Sequence, residues 1–63
     1  MSIKAMRQAK GLSQRELAER IGVKQESITQ WENGKTSPKF ERLAIIADAL
    51  ECTVDDLVRK DDG

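Results

Sequence analysis

The side chains that ordinarily do covalent or metal chemistry are nearly missing from this chain, which directs attention to its amides. Its 63 residues include no His, no Tyr and one Cys, Cys52. Zinc-finger spacing, a Cys–His dyad and an intramolecular disulfide are thereby excluded, and no metal or cofactor is expected. Adjacent carboxylates occur at Asp55-Asp56 and Asp61-Asp62. Nothing beside them would desolvate them for acid–base work, so they read as a solvated helix start and a solvated tail. No enzyme activity is expected. What remains is a polar cluster at Gln25, Glu26, Thr29 and Gln30. A Gln amide pairs in two-pronged fashion with N6 and N7 of adenine, a Thr offers a hydroxyl or a methyl for thymine, and a Glu accepts from N4 of cytosine. A Glu also repels wrongly placed sites. The chemistry these four share is the non-covalent reading of a base edge.

They can act together only if one helix carries them outward. At about 100° per residue from Ile28, Lys24 and Trp31 fall within about 60°, while Glu26, Gln30 and Asn33 fall at about 140–160°. Thr29 lies beside that outer face and Gln25 sits in the first turn. Trp31 is on the inner arc and reads as core rather than as a stacking platform. Glu32 falls only about 40° from Ile28, so it cannot face solvent freely, and an acid there wants a cation.

Five helices follow from the punctuation of the chain. Ser2 caps a first helix that Gly11 stops. Ser13-Gln14-Arg15-Glu16 is a capping box that opens a second helix with Leu17, Ala18 and Ile21 inward, ending at Gly22. Lys24 to Asn33 reads as a third helix, closed by Gly34. Ser37-Pro38, a capping residue before a proline at the first helical position, opens a fourth through Leu50. Its inward stripe is Phe40, Leu43, Ala44, Ala47 and Leu50. Thr53 starts a short fifth helix with Val54, Leu57 and Val58, and Lys60 to Gly63 fray. No segment alternates with period two, so the fold is all-α. Helices two and three meet across Gly22-Val23. Small Ala18 lets their backbones approach, and Gly22 supplies the positive φ of a sharp turn. Two helices joined steeply through such a turn define the helix-turn-helix.

Size and charge set outer bounds. A chain this short buries about 60% of the surface its unfolded form exposes, which leaves little room for an enclosed enzyme pocket. Apolar residues make up 38% and charged residues 35%, suiting a compact helical domain over residues 1–60 with a tail at 61–63. The longest apolar run, Leu43 to Ala47, falls far short of the ~20 residues that span a bilayer, so no membrane is expected. A cytoplasmic location is expected, and a lone thiol fits a reducing compartment. Net charge is zero, but residues 1–40 hold eight Lys and Arg against four Glu, whereas residues 41–63 hold three cations against seven anions. A basic two-thirds can present a positive face to a polyanion.

The stretch Gly11-Leu12-Ser13-Gln14-Arg15-Glu16-Leu17-Ala18, then Ile21-Gly22-Val23, then Ile28-Thr29-Gln30-Trp31-Glu32-Asn33-Gly34-Lys35, resembles the lambda-repressor-like, Cro-type helix-turn-helix family, also called the XRE family. The likeness continues through Ser37-Pro38, Leu43, Ile46-Ala47 and Ala49-Leu50 to Thr53 and Leu57. It implies a compact five-helix domain that binds a palindromic double-stranded DNA operator as a homodimer, with the third helix in the major groove. A transcriptional regulator, most often a repressor, is the function implied. By matching position Gln25, Glu26, Thr29 and Gln30 face bases. Gln14, Ser27, Asn33, Lys35 and Lys39 hold the sugar-phosphate backbone; in some relatives the residue matching Gln14 braces the first amide of the recognition helix instead. Arg7 and Glu32 match a structural ion pair joining helix one to the end of helix three. Two positions depart from the family. Glu51 stands where Gly commonly closes helix four, and a Glu held left-handed there costs roughly 1–2 kcal/mol. Ile45 stands where a polar residue is frequent, and it is expected to point outward.

A second class of function fits the same fold. An antitoxin-like or adaptor module would use it mainly to hold another protein, a toxin or a regulatory domain, and the acidic last third supports that reading.

Overall fold

The computed structural model describes residues 2–58. Among them run five helices: α1 (Ile3–Ala9), α2 (Gln14–Ile21), α3 (Gln25–Glu32), α4 (Phe40–Ala49) and α5 (Val54–Val58). There is no strand among the described residues. The fraying expected of residues 60–63 lies outside them. Helices this short are marginal alone, so tertiary burial must hold them. Each contributes to one core, in which Leu17, Ile28, Ile46 and Leu57 are fully buried and Ile3 and Leu50 nearly so. The Ser2 amide donates to the Leu57 carbonyl at 2.7 Å, closing the start of α1 onto α5.

Four helix ends close on a left-handed residue, three of them with the same pair of backbone bonds. After α1 the Leu12 amide reaches back to the Arg7 carbonyl at 3.1 Å and the Gly11 amide to Gln8 at 2.9 Å. After α3 Lys35 bonds Gln30 at 2.9 Å and Gly34 bonds Trp31 at 3.2 Å; after α4 Cys52 bonds Ala47 at 2.9 Å and Glu51 bonds Asp48 at 3.2 Å. This paired pattern is the Schellman motif, which needs a left-handed residue just past the helix. After α2 the Val23 amide bonds the Ala18 carbonyl at 3.0 Å, with Gly22 at φ 74°. The α4 end has no glycine. Glu51 takes the left-handed role itself at φ 55°. Its carboxylate is paired with the Lys10 ammonium at the end of α1.

Three expectations are corrected. Ser37-Pro38 does not start α4; Lys39 occupies the cap with φ −68° and ψ 158°, and Phe40 is the first helical residue. Pro38 is instead buried in the connecting loop. The inward stripe of α4 is Leu43, Ile46, Ala47 and Leu50, without Phe40 or Ala44. Ala44 lies about 100° around the helix from Leu43, at the edge of the stripe. Phe40 stands at the very start of α4, where its side chain points back past the end of the packed face, and is 65% exposed. Ser2 stands at the α1 cap without a side-chain capping bond. Ile45 points outward as expected, at 45% exposure. An open groove of about 370 Å³ runs between Trp31, Pro38 and α4, where Arg42 and Ile45 line it.

Candidate nucleic-acid interface

The turn between α2 and α3 is built from residues 22–24. Ser13 caps α2, its hydroxyl accepting the Glu16 amide at 3.0 Å while the Glu16 carboxylate accepts the Ser13 amide at 2.9 Å. The bond from the Ser13 amide, with the Ser13 hydroxyl close by, holds the Glu16 carboxyl below its ordinary value. Leu17, Ala18, Ile21 and Ile28 are buried between α2, α3 and the rest of the core, with Val23 and Trp31 packed against them. The wedge thus fixes α3 on the body of the domain and leaves its other side in solvent.

On that side Gln25, Glu26 and Asn33 are exposed, and Ser27, Thr29 and Gln30 are half-buried. Lys35 and Lys39, in the loop toward α4, are both exposed. The face is narrow, polar and carries no cation between Gln25 and Asn33.

Behind it lies a polar network that the amino-acid pattern reveals only in part. Arg7 is 8% exposed and grips Glu32 with two bonds, Nε to Oε2 at 2.7 Å and Nη2 to Oε1 at 3.1 Å. Its Nη1 donates to the Leu12 carbonyl at 2.7 Å. Such a fork on a carboxylate is both stronger and more directional than a neutral bond. Gln14 then joins α2 to it: Nε2 donates to Glu32 Oε1 at 3.0 Å, and Oε1 accepts from the Thr29 hydroxyl at 2.9 Å. Burial pushes the Glu32 carboxyl up, but the bonds from Arg7 and Gln14 and the charge of Arg7 outweigh it and hold it below the ordinary value. Gln14 therefore braces Thr29 and Glu32 rather than the amide of Gln25. The signal that could have found this is the carboxylate itself, since its two oxygens accept more bonds than one Arg supplies.

Cys52 is half-buried and its thiol is pushed up by burial and by Asp56, which suits packing rather than reactivity. Among the described residues no helix is long and apolar enough to cross a membrane.

A buried wedge that turns a short polar helix outward defines a helix-turn-helix protein. Residues 3–57 match the helix-turn-helix family, and the chain belongs to it. Over 59 residues it is 36% identical to Repressor protein C2 of Salmonella phage P22, spanning 94% of this chain and 27% of the phage protein. Over 56 residues it is 36% identical to the HTH-type transcriptional activator BcrR of Enterococcus faecalis, covering 89% and 28%. The cryptic phage CTXphi transcriptional repressor RstR of Vibrio cholerae is 39% identical over 51 residues, covering 81% and 46%. The chain thus spans under a third of the first two relatives and under half of the third. Its fold superposes on the P22 c2 repressor protein, solved in complex with a synthetic operator, with a TM-score of 0.85 and 36% identity over 94% of this chain and 89% of that one.

Proposed function

We propose that this chain is a sequence-specific double-stranded DNA-binding domain of a transcriptional regulator, and that it represses by occupying an operator and excluding polymerase. The observation that carries the reading is the outward, amide-bearing face of α3, held by a buried wedge on a fold whose relative was solved on operator DNA. In this reading α3 enters the major groove, where Gln25, Glu26, Thr29 and Gln30 meet base edges. Lys35 and Lys39 meet phosphates from the loop that follows, together with Ser27 and Asn33. Gln14 keeps one amide N–H beyond its bond to Glu32 and offers it to the backbone. A palindromic operator calls for a homodimer with half-sites about 34 Å apart. The domain acts in the cytoplasm and catalyses no reaction, and a toxin or regulatory region is the kind of protein that would partner it.

The test is to select bound duplexes from a random pool and then measure affinity for the enriched sequence. Gln25→Ala or Gln30→Ala is expected to cost about 1–3 kcal/mol and relax choice at a single base pair. Parent-like binding by both variants would overturn the assignment of α3.

A further inference from the structure

Arg7 offers only donors and ionised Glu32 only acceptors, so every bond joined to this pair has a fixed proton direction. Gln14 lies 3.0 Å from Glu32 Oε1 and can bond it only through Nε2. That settles the orientation of the amide and turns Oε1 toward Thr29. Because Oε1 only accepts, the Thr29 hydroxyl 2.9 Å away must be the donor. The other acceptor near that hydroxyl is the Gln25 carbonyl at 3.3 Å, which is again the protein's own. Whichever oxygen takes the proton, none is left for a ligand.

Building on the DNA-binding reading, we propose that Gln14 makes Thr29 a reader consisting of an acceptor and a methyl group, and that the base pair facing Thr29 is A·T. An unbraced Thr suits either kind of edge, because its hydroxyl rotates. A braced one does not. Guanine shows two acceptors, N7 and O6, in the major groove, and these face the Thr29 oxygen with no proton between them. Cytosine supplies a donor but no methyl, and it brings guanine with it. An A·T pair serves both halves of the side chain: N6–H of adenine meets the oxygen, and the C5-methyl of thymine meets the Thr methyl. Gln14 is accordingly a positioning residue, setting specificity from α2 through the direction of one proton.

The experiment selects duplexes from a random pool with the 63-residue chain and, in parallel, with Thr29→Ser and Gln14→Leu. The unaltered chain is expected to enrich a motif with an A·T pair at the Thr29 position, where replacing thymine by uracil weakens binding about fourfold, the value of one buried methyl. In Thr29→Ser the hydroxyl and its brace persist, so guanine stays rejected while the uracil penalty vanishes. In Gln14→Leu the hydroxyl keeps only its longer 3.3 Å contact with the Gln25 carbonyl and can turn from it to a base, so guanine is admitted while the uracil penalty remains. Base preference is the readout because any bond from Gln14 to a phosphate carries no sequence information, and its removal leaves that preference unchanged. An equal uracil penalty in the unaltered chain and Thr29→Ser, or unchanged rejection of guanine in Gln14→Leu, would overturn the proposal and leave base reading by α3 standing. Enrichment of no motif by the unaltered chain would remove the DNA-binding reading and this one together. Gln14→Leu leaves Glu32 its two bonds from Arg7, and Thr29→Ser keeps every polar bond of the hydroxyl, so either arm can overturn the proposal alone.

Discussion

Glu51 holds a backbone conformation that glycine holds at the three comparable helix ends, with φ 55° against 70°, 74° and 76° at Gly11, Gly22 and Gly34. A side chain in the left-handed region crowds its own carbonyl, and the pairing with Lys10 is the visible recompense. Separating the two effects takes two variants, because both Glu51→Gly and Glu51→Ala lose the pair and only the first relieves the backbone. The glycine variant is expected to be the more stable by about 1 kcal/mol, even after the entropy that glycine adds to the unfolded chain. Thermal melts of both decide this; an alanine variant equal to the glycine one would mean that the left-handed turn carries no strain. Glu32 makes a prediction of a different kind. Its carboxyl is held below its ordinary value of 4.5 in the folded state. A depressed pKa contributes stability that is complete above the unfolded value and is lost as pH falls through the folded one. Denaturant melts should therefore weaken below about pH 4.5, and Glu32→Gln should flatten that limb while lowering stability near neutrality, where Arg7 loses its charge partner. An acid limb unchanged by Glu32→Gln would place the acid sensitivity elsewhere.

At the scale of elements, α2 and α5 are entered by the same reciprocal cap. Ser13 with Glu16 and Thr53 with Asp56 each exchange backbone and side-chain bonds, the second pair at 3.1 Å in both directions. Ser13→Ala is expected to cost about 1 kcal/mol of stability and to loosen the start of α2, from which Gln14 braces α3. Calorimetry measures the cost; a variant melting like the parent would show that the cap is not needed to seat α2. These starts were legible in the chain because a cap is local, set by residues three apart. So were the left-handed stops, which glycine marks in three cases, and the departure at Glu51. The start of α4 was not legible. Ser37-Pro38 has the composition of a helix opening, but the loop uses Pro38 to fill space, and burial is a property of partners distant in sequence. Phe40 failed for a related reason: helical periodicity tells which way a residue points and not whether a neighbouring element extends far enough to cover it. The outward face of α3 was readable from the wheel alone. The link from Gln14 to Thr29 and Glu32 was not, since it spans two helices and depends on which amide orientation a buried charge permits.

For the whole molecule the balance of charge sets how it would meet a polyanion. The chain is neutral overall, with its excess of cations confined to residues 1–40. Within that part Arg7 is consumed by Glu32, Lys10 by Glu51, and Arg15 faces Glu19 at 3.7 Å. The recognition face of α3 has no cation; of the exposed lysines that flank it, Lys24 before the helix and Lys35 and Lys39 after it, the last two are the ones assigned to phosphates. Each phosphate neutralised lowers log K by about 0.9 per tenfold rise in salt, so two lysines per protomer give a dimer a slope of about −4. That is shallow. Little of the binding free energy would then be sequence-independent, and discrimination would rest on the amides of Gln25 and Gln30 and on Thr29. Lys35→Gln should weaken binding to all duplexes alike and reduce the slope by about 2 for the dimer, leaving the preferred sequence unchanged. Fluorescence anisotropy across a salt series measures both quantities. A slope near −10, or a Lys35→Gln variant with altered base preference, would mean that other basic groups or another face of the domain meets the DNA.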